Sequence, residues 1–298
     1  MKQLLLVMNP YAGLRRANRC LADIIGLFNR YGWETIVHMT GARGDGTEIT
    51  ARRAKDVDMV VAVGGDGTFN EVISGLLRSG TDTPVGYIPA GSTNDFANSL
   101  HLPTGIVEAA QAIMEGEPKP YDVGQFQNNR YFSYVASFGA FTRASYETPQ
   151  NVKNALGHLA YVLEGAREIS NIKAEHLRIE TDEQIFEDDY IFGAISNSTS
   201  VGGILTLDPK VVDMGDGKFE LLLVRAPRDI MELGDCVQSL LAQRYNCSML
   251  TFCPTSHVWI DAPQDMPWTL DGERAEGAAR IEAKNLHHAI RLIQRATK

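Results

Sequence analysis

What the chain lacks narrows it first. Its four cysteines, Cys20, Cys236, Cys247 and Cys253, are scattered over 298 residues with no C-x-x-C spacing. That argues against a zinc site and a disulfide framework, so a reducing cytoplasm is the expectation. No run approaches the roughly 18–20 apolar residues of a membrane-spanning helix. The early run Leu4–Met8 is shorter than a signal-peptide core and ends at the turn pair Asn9-Pro10, so it reads as a buried strand. Positive charge is scarce: 28 Lys and Arg against 37 Asp and Glu leave a formal charge of −9. This argues against wholesale nucleic-acid binding and counts mildly against avid binding to an anionic membrane. The seven histidines show no ligand spacing, and there are no repeats or low-complexity tracts.

What is present is an ordinary globular composition, 44% hydrophobic and 22% charged, at a length that suits two domains. The charge is uneven. Arg15, Arg16, Arg19, Arg30, Arg43, Arg52, Arg53 and Lys55 make the first segment basic, either as solvated helix faces or as a patch that meets phosphate groups.

Over residues 1–126, short apolar runs alternate with helical spacing. Leu4–Met8, Thr35–His38, Met59–Val63 and Val85–Ile88 read as strands. Arg16–Tyr31, Thr47–Asp56, Phe69–Leu77 and Gly105–Met114 read as helices. This alternation predicts a doubly wound, Rossmann-like α/β domain with a parallel sheet. Residues 127–284 change texture. Strand-like runs at Tyr131–Ser137, Leu177–Thr181, Tyr190–Asn197, Phe219–Val224, Met249–Phe252, His257–Asp261 and Ala279–Glu282 are broken by helical patterns at Lys153–Ile169 and Arg228–Gln243. That predicts an antiparallel β-sandwich domain with helical insertions. Residues 285–298, with Ala289–Ile293 as a last strand or helix, remain as a tail.

Two loops carry chemistry. In Gly64-Gly65-Asp66-Gly67-Thr68 a buried strand runs directly into a helix. Glycines let backbone N–H groups close on a phosphate, and the helix N-terminus adds positive potential there. Asp66 is placed to meet Mg²⁺ through water, and Thr68 can cap the helix or bind an oxygen. In Gly91-Ser92-Thr93-Asn94-Asp95 a second strand ends in four successive capping residues, more than one helix needs. No Gly-Lys-Ser/Thr follows either loop, which excludes a P-loop, and neither is G-x-G-x-x-G.

Together these segments resemble the catalytic domain shared by bacterial diacylglycerol kinases and the sphingosine and ceramide kinases. The likeness extends along the chain through Asn9-Pro10-Tyr11-Ala12-Gly13, Thr40, Tyr121-Asp122-Val123-Gly124, Asn197, Gly202-Gly203, Asp208-Pro209, Asp216-Gly217 and Leu270-Asp271-Gly272-Glu273. It implies an ATP- and Mg²⁺-dependent lipid kinase, with ATP between the domains. Asn9, Thr40, Gly64, Gly65, Asp66, Gly67, Thr68, Ser92, Thr93 and Asn94 would hold the nucleotide. Asp66, Asp95 and Asp122 would form an acidic network around Mg²⁺. Glu273 would act as general base with Asp271 beside it, as metal ligand or orienting group, although Asp-Gly also signals a simple hairpin turn. Asp213, Asp216 and the carbonyl of Lys218 would hold a structural Mg²⁺, with a plain acidic turn as the other reading. Tail residues 285–298 would pack back on the first domain. The lipid would be met at a membrane surface by transient peripheral contact, for example through the Arg15-Arg16 face, with apolar residues of Phe132–Phe141 and Tyr146 lining its pocket. The likeness leaves room for a homodimer. A kinase of a soluble metabolite such as NAD shares the Gly-Gly-Asp-Gly-Thr loop, but there an Asn-Asn-Glu segment is usual and this chain has Gln127-Asn128-Asn129-Arg130. A non-catalytic nucleotide- or lipid-binding protein is the third reading.

Overall fold

The computed structural model describes residues 2–127, 129–139, 173–201 and 205–295. The expected helix at Lys153–Ile169, Gly202-Gly203, Asn128, Phe141 and Tyr146 lie outside them. The chain divides into two compact units, one of residues 1–123 and 288–298, the other of 124–287.

The first unit begins with β1 (Lys2–Met8), a one-turn helix α1 (Arg16–Arg19), α2 (Leu21–Arg30) and β2 (Trp33–Met39). It continues with α3 (Asp45–Arg53), β3 (Met59–Gly64), α4 (Asp66–Ser79) and β4 (Val85–Pro89). The short α5 (Asp95–Ser99) and α6 (Ile106–Glu115) follow. The strands run parallel in the order β2-β1-β3-β4, with Leu4 opposite Met59 and Thr35, and Val60 opposite Val85. Buried from Leu4 to Met8 and from Met59 to Gly64, the two inner strands are covered on both faces. Alternation decides which face each side chain serves: Leu4, Leu6, Met8, Val61 and Val63 pack against Ile24 and Phe28 of α2 and Ala110 and Ile113 of α6. Each such burial is worth roughly 1.5–3 kcal/mol.

The chain enters the second unit within β5 (Glu117–Phe126) and leaves it within β17 (Arg280–Gln294). Between them lie β6 (Arg130–Phe132), β7 (Val135–Gly139), β8 (Glu175–Thr181), β9 (Ile185–Ser196) and the short pair β10 (Ser200–Val201) and β11 (Leu205–Thr206). Then come β12 (Phe219–Arg225), α7 (Ile230–Leu241), β13 (Leu250–Thr255), β14 (His257–Asp261), β15 (Trp268–Leu270) and β16 (Glu273–Ala275). Pairing within this unit is antiparallel. β9 pairs with three strands: its first half with β8, and its second half, between them, with β7 and β12. Fully buried Trp268 meets Phe126 and Phe138 at ring distances of 5.1 and 4.9 Å, and these rings belong to the unit's own core.

Several local expectations differ in informative ways. Arg16–Tyr31 is two helices, because the Cys20 amide bonds Ala17 three residues back and breaks the α-turn. Tyr131–Ser137 is two strands, since the amides of Ser133 and Tyr134 turn to a carboxylate. β5 carries Pro118 and Pro120, which hid it, and its buried part starts only at Asp122. The expected run Ala279–Glu282, from Arg280 on, and Ala289–Ile293 are parts of one strand, β17. Its first residues pair with β14, and Leu292 lies parallel to Val85 of β4.

Candidate functional site

In the first unit the chain goes from β1 to β2 on one side and returns to β3 and β4 on the other, so the switch point lies between β1 and β3. At the carboxyl ends of such strands a ligand crevice opens. Three loops meet there. The Asn9 amide donates to the Val63 carbonyl (2.9 Å), and its side-chain oxygen accepts from the Tyr11 amide. Gly13 adopts φ +49°, and a Cβ there would run into the Ala90 carbonyl. Gly91 lies so close to Gly65 that a Cβ on it would sit 2.5 Å from the Gly65 Cα. Only residues without side chains let these backbones touch.

Asp66 ties the second and third loops together. Buried at the start of α4, its carboxylate accepts the Asp95 amide (3.0 Å) and the Phe96 amide (3.2 Å), with the Thr93 hydroxyl at 3.5 Å. It thus binds the first amides of α5, the groups a helix leaves unsatisfied. Asn94, at φ +52°, accepts the Gly91 amide at 2.9 Å and donates back to the Gly91 carbonyl. Ser92 and Thr93 are exposed at the rim, while Thr68 is buried. Beneath the loops Phe69 stacks on Tyr87 at 4.4 Å and packs on Phe96. Burial, then the charges of Asp66 and Asp95, push the Tyr87 phenol well above its ordinary range. Two carboxylates therefore lie close enough to act on this phenol.

Thr40 follows β2 on the same edge, its amide bonded to the Met8 carbonyl. Asp122 lies on β5, where one carboxylate oxygen accepts the His288 amide (2.8 Å) just where β17 takes a positive φ of +51°. It supports a kink in the strand as well as offering a charge. Glu71 was not read as functional from sequence. Its two oxygens take the amides of Gly44 (2.7 Å) and Gly46 (2.9 Å), holding the loop after β2 against α4. Its place one turn into the helix that follows the glycine loop was the available signal.

In the second unit, Asp271 (φ +50°) and Gly272 (φ +79°) form the two-residue turn between β15 and β16, with Leu270 opposite Glu273. Asp-Gly is the expected pair for such a turn. Asp271 does more than turn the chain. Its buried carboxylate accepts the amides of Ser133, Tyr134 and Val135 at 2.6–3.1 Å and the Ser133 hydroxyl at 2.8 Å. Burial pushes this carboxyl above its usual range, and these bonds draw it back down. The carboxylate thus ties residues 133–135 to this hairpin, and Glu273 beside it is exposed.

Asp213 and Asp216 each accept an amide two residues on, from Gly215 (3.1 Å) and Lys218 (2.9 Å), and Gly217 takes φ +80°. A third acid joins them. Glu220 is 3% exposed, and its Oε2 has no hydrogen-bond partner among the described residues. Burial first, then the charges of Asp216 and Asp213, push it up to about 8. These three carboxylates do not converge into one ligand cluster; among the described residues the group that does is Asp122 with His287 and His288, whose ligand atoms lie within 4.8 Å of one another.

The first unit is thus a doubly wound α/β unit whose glycine loops meet at the switch point with Asp66 between them, a form suited to a phosphorylated ligand. The family model described as the diacylglycerol kinase catalytic domain matches residues 3–126. The diacylglycerol kinase of Bacillus subtilis (strain 168) is 31% identical over 295 residues, covering 98% of this chain and 96% of that protein. That of Staphylococcus saprophyticus is 36% identical over 276 residues, covering 91% and 89%. A crystal structure of a diacylglycerol kinase from Bacillus anthracis str. Sterne shares the fold, with a TM-score of 0.76 at 22% identity over 99% of this chain and 97% of that one. The chain belongs to the diacylglycerol kinase family.

Proposed function

We propose that this protein transfers the γ-phosphate of ATP to the hydroxyl of diacylglycerol or a related lipid. The observation that carries the reading is the Asp66 carboxylate gripping the N-terminus of α5 while its own loop touches Gly91. One acid thereby sets the distance between two phosphate-binding loops. Asn9, Thr40, Gly64–Thr68 and Ser92–Asn94 hold the nucleotide. Phosphoryl transfer needs alignment and charge neutralisation more than covalent help, and Mg²⁺ supplies part of that neutralisation. Asp66, whose carboxylate also accepts the Asp95 and Phe96 amides, Asp95 and Asp122 are the carboxylates that would orient it. Glu273 takes the lipid hydroxyl's proton as the O–P bond forms and ADP leaves, and Asp271 holds its hairpin in place. Asp213, Asp216 and the Lys218 carbonyl are the groups that would hold a second, structural Mg²⁺.

Among the described residues no helix is long and apolar enough to cross a membrane. Contact with the lipid surface is peripheral and transient, by a cytoplasmic protein that binds no nucleic acid. Tyr11, 68% exposed with the Arg15 guanidinium 5.4 Å from its ring centroid, and the neighbouring Arg16 suit lipid head groups.

The test measures transfer from labelled ATP to a panel of lipids in mixed micelles, with and without Mg²⁺. NAD is the parallel acceptor, and Asp66→Ala and Glu273→Gln are compared with the wild type. Labelled lipid that disappears in both variants supports the reading. Labelled NADP moves the protein to the metabolite kinases, and ATP binding without transfer to any acceptor defeats the catalytic reading.

A further inference from the structure

Two of the four cysteines meet in the second unit. Cys236 lies on α7 and is fully buried. Its thiol shares a hydrogen bond with the thiol of Cys247, which is half-buried in the bend between α7 and β13. Neighbouring bonds hold this meeting in register. Ser248 donates its hydroxyl to Glu232 Oε1 (2.8 Å), and Glu232 stands one helical turn before Cys236 on the same face of α7. Arg225 pairs with that same carboxylate and donates through Nε to the Ser248 carbonyl (3.1 Å), while its amide bonds the Met249 carbonyl (3.0 Å). Residues 247 and 248 therefore follow one face of the helix, each meeting a different turn of it. The other two cysteines lie elsewhere: Cys20 packs on the core of the first unit, and Cys253 on the β core of the second.

We infer that Cys236 and Cys247 form a reversible disulfide when the protein meets a peroxide. Cys247 reacts first, because it alone of the pair reaches solvent. Burial, then the neighbouring Cys247 thiol, push the Cys236 thiol well above its usual range, so it keeps its proton at that stage. The Cys247 sulfur, having given its proton to water, attacks one peroxide oxygen. The S–O bond forms, the O–O bond breaks, and the departing hydroxide is protonated to water. The Cys236 sulfur then attacks the sulfenic sulfur, the S–O bond breaks, and the second hydroxide leaves with the Cys236 proton as water. Two thiols and one hydrogen peroxide thus give one disulfide and two waters. In a reducing compartment the pair rests as thiols and closes only under oxidant, as transient disulfides there do. Because Ser248 already anchors the bend to α7, closure asks little of the native geometry, the usual point at which an added crosslink fails.

The experiment treats the fully reduced, full-length protein with a small molar excess of hydrogen peroxide, blocks the remaining thiols with N-ethylmaleimide, and maps tryptic peptides by mass spectrometry. Blocked cysteines fall from four to two. Peptide 229–244 becomes joined to peptide 245–274, and fragmentation places the bond at Cys247 rather than Cys253. Dithiothreitol restores all four thiols. The oxidised protein melts roughly 5–10 °C above the reduced one, the shift expected for a closed loop of this length. Cys20→Ser and Cys253→Ser keep both the linkage and the shift, whereas Cys247→Ser and Cys236→Ala abolish them. If Cys236→Ala fails to fold, Cys247→Ser decides. Four blockable thiols after peroxide, Cys247 carried on to sulfinic acid with Cys236 still blockable, or a linkage through Cys253 or between two chains overturns the inference.

Discussion

Replacing Gly91 by Ala adds one methyl group at the tightest approach between the two glycine loops. The new Cβ would lie 2.5 Å from the Gly65 Cα and 2.7 Å from the Asn94 side-chain oxygen, against the 3.4 Å at which such contacts become ordinary. Gly65 is backbone and cannot swing aside, so the loops must part by close to 1 Å. Overpacking of this kind costs about 1–3 kcal/mol. For a chain of this size that lowers the unfolding midpoint by roughly 2–4 °C per kcal/mol, and so by about 2–12 °C in all. A displacement of about 1 Å in a binding loop also costs on the order of a hundredfold in rate, so kcat/KM for ATP falls by a comparable factor. Two internal controls carry the same chemical change with the opposite sign. Gly26 lies in α2 and Gly234 in α7, where an added Cβ meets only an arginine tip at 3.8 Å or nothing within 4 Å. Alanine there removes a flexible helical residue and stabilises by about 0.5–1 kcal/mol each. Calorimetry and steady-state kinetics on the three variants make the comparison. If Gly91→Ala melts within 1 °C of the wild type and keeps its KM for ATP, the loops do not touch as described and the reasoning fails.

Asp271→Ala strands three buried amides and the Ser133 hydroxyl, for a loss of roughly 3 kcal/mol or more; hydrogen exchange should show Ser133, Tyr134 and Val135 losing protection together, and normal protection there would refute it. Glu220 gives a pH test. Its folded value of about 8 stands above the ordinary carboxylate value of 4.5, so the stability due to its neutral form is full below about pH 4.5 and is lost as pH rises towards 8. Without divalent cations, Glu220→Gln should therefore overtake the wild type across that range, by a few kcal/mol at its top. A gap that does not change with pH would show that Glu220 is not a buried acid of raised pKa. Glu71→Ala frees the amides of Gly44 and Gly46; proteolysis should then cut near residues 41–46 faster than in the wild type, and unchanged cleavage would show that the loop has another anchor.

Part of this molecule was legible before any coordinates. Apolar runs of five residues alternating with helical spacing encode a sheet covered on both faces, because burial on two sides demands unbroken hydrophobicity in Leu4–Met8 and Met59–Val63. Gly-Gly-Asp-Gly-Thr announced a close backbone approach, since only glycine permits one. The Asp-Gly pair at 271–272 announced a two-residue turn for the same local reason. These features depend on neighbours a few positions away, which the sequence contains.

What tertiary structure alone decided depends on partners far along the chain. Asp271 spends its carboxylate on amides about 136 residues earlier, which no local pattern encodes. β5 was concealed by Pro118 and Pro120, because a proline's missing N–H weighs against a strand until the pairing around it is known. β17 reads as two elements because its polar middle, Lys284–His288, breaks the alternation, and the Asp122 bond to the His288 amide shows why the strand can kink there and go on. Glu71 and Glu220 look like surface acids in sequence. The fold gives the first two backbone amides to hold, and it buries the second beside two other carboxylates. A residue's type sets which bonds it can make, and only long-range packing settles which of them it is offered.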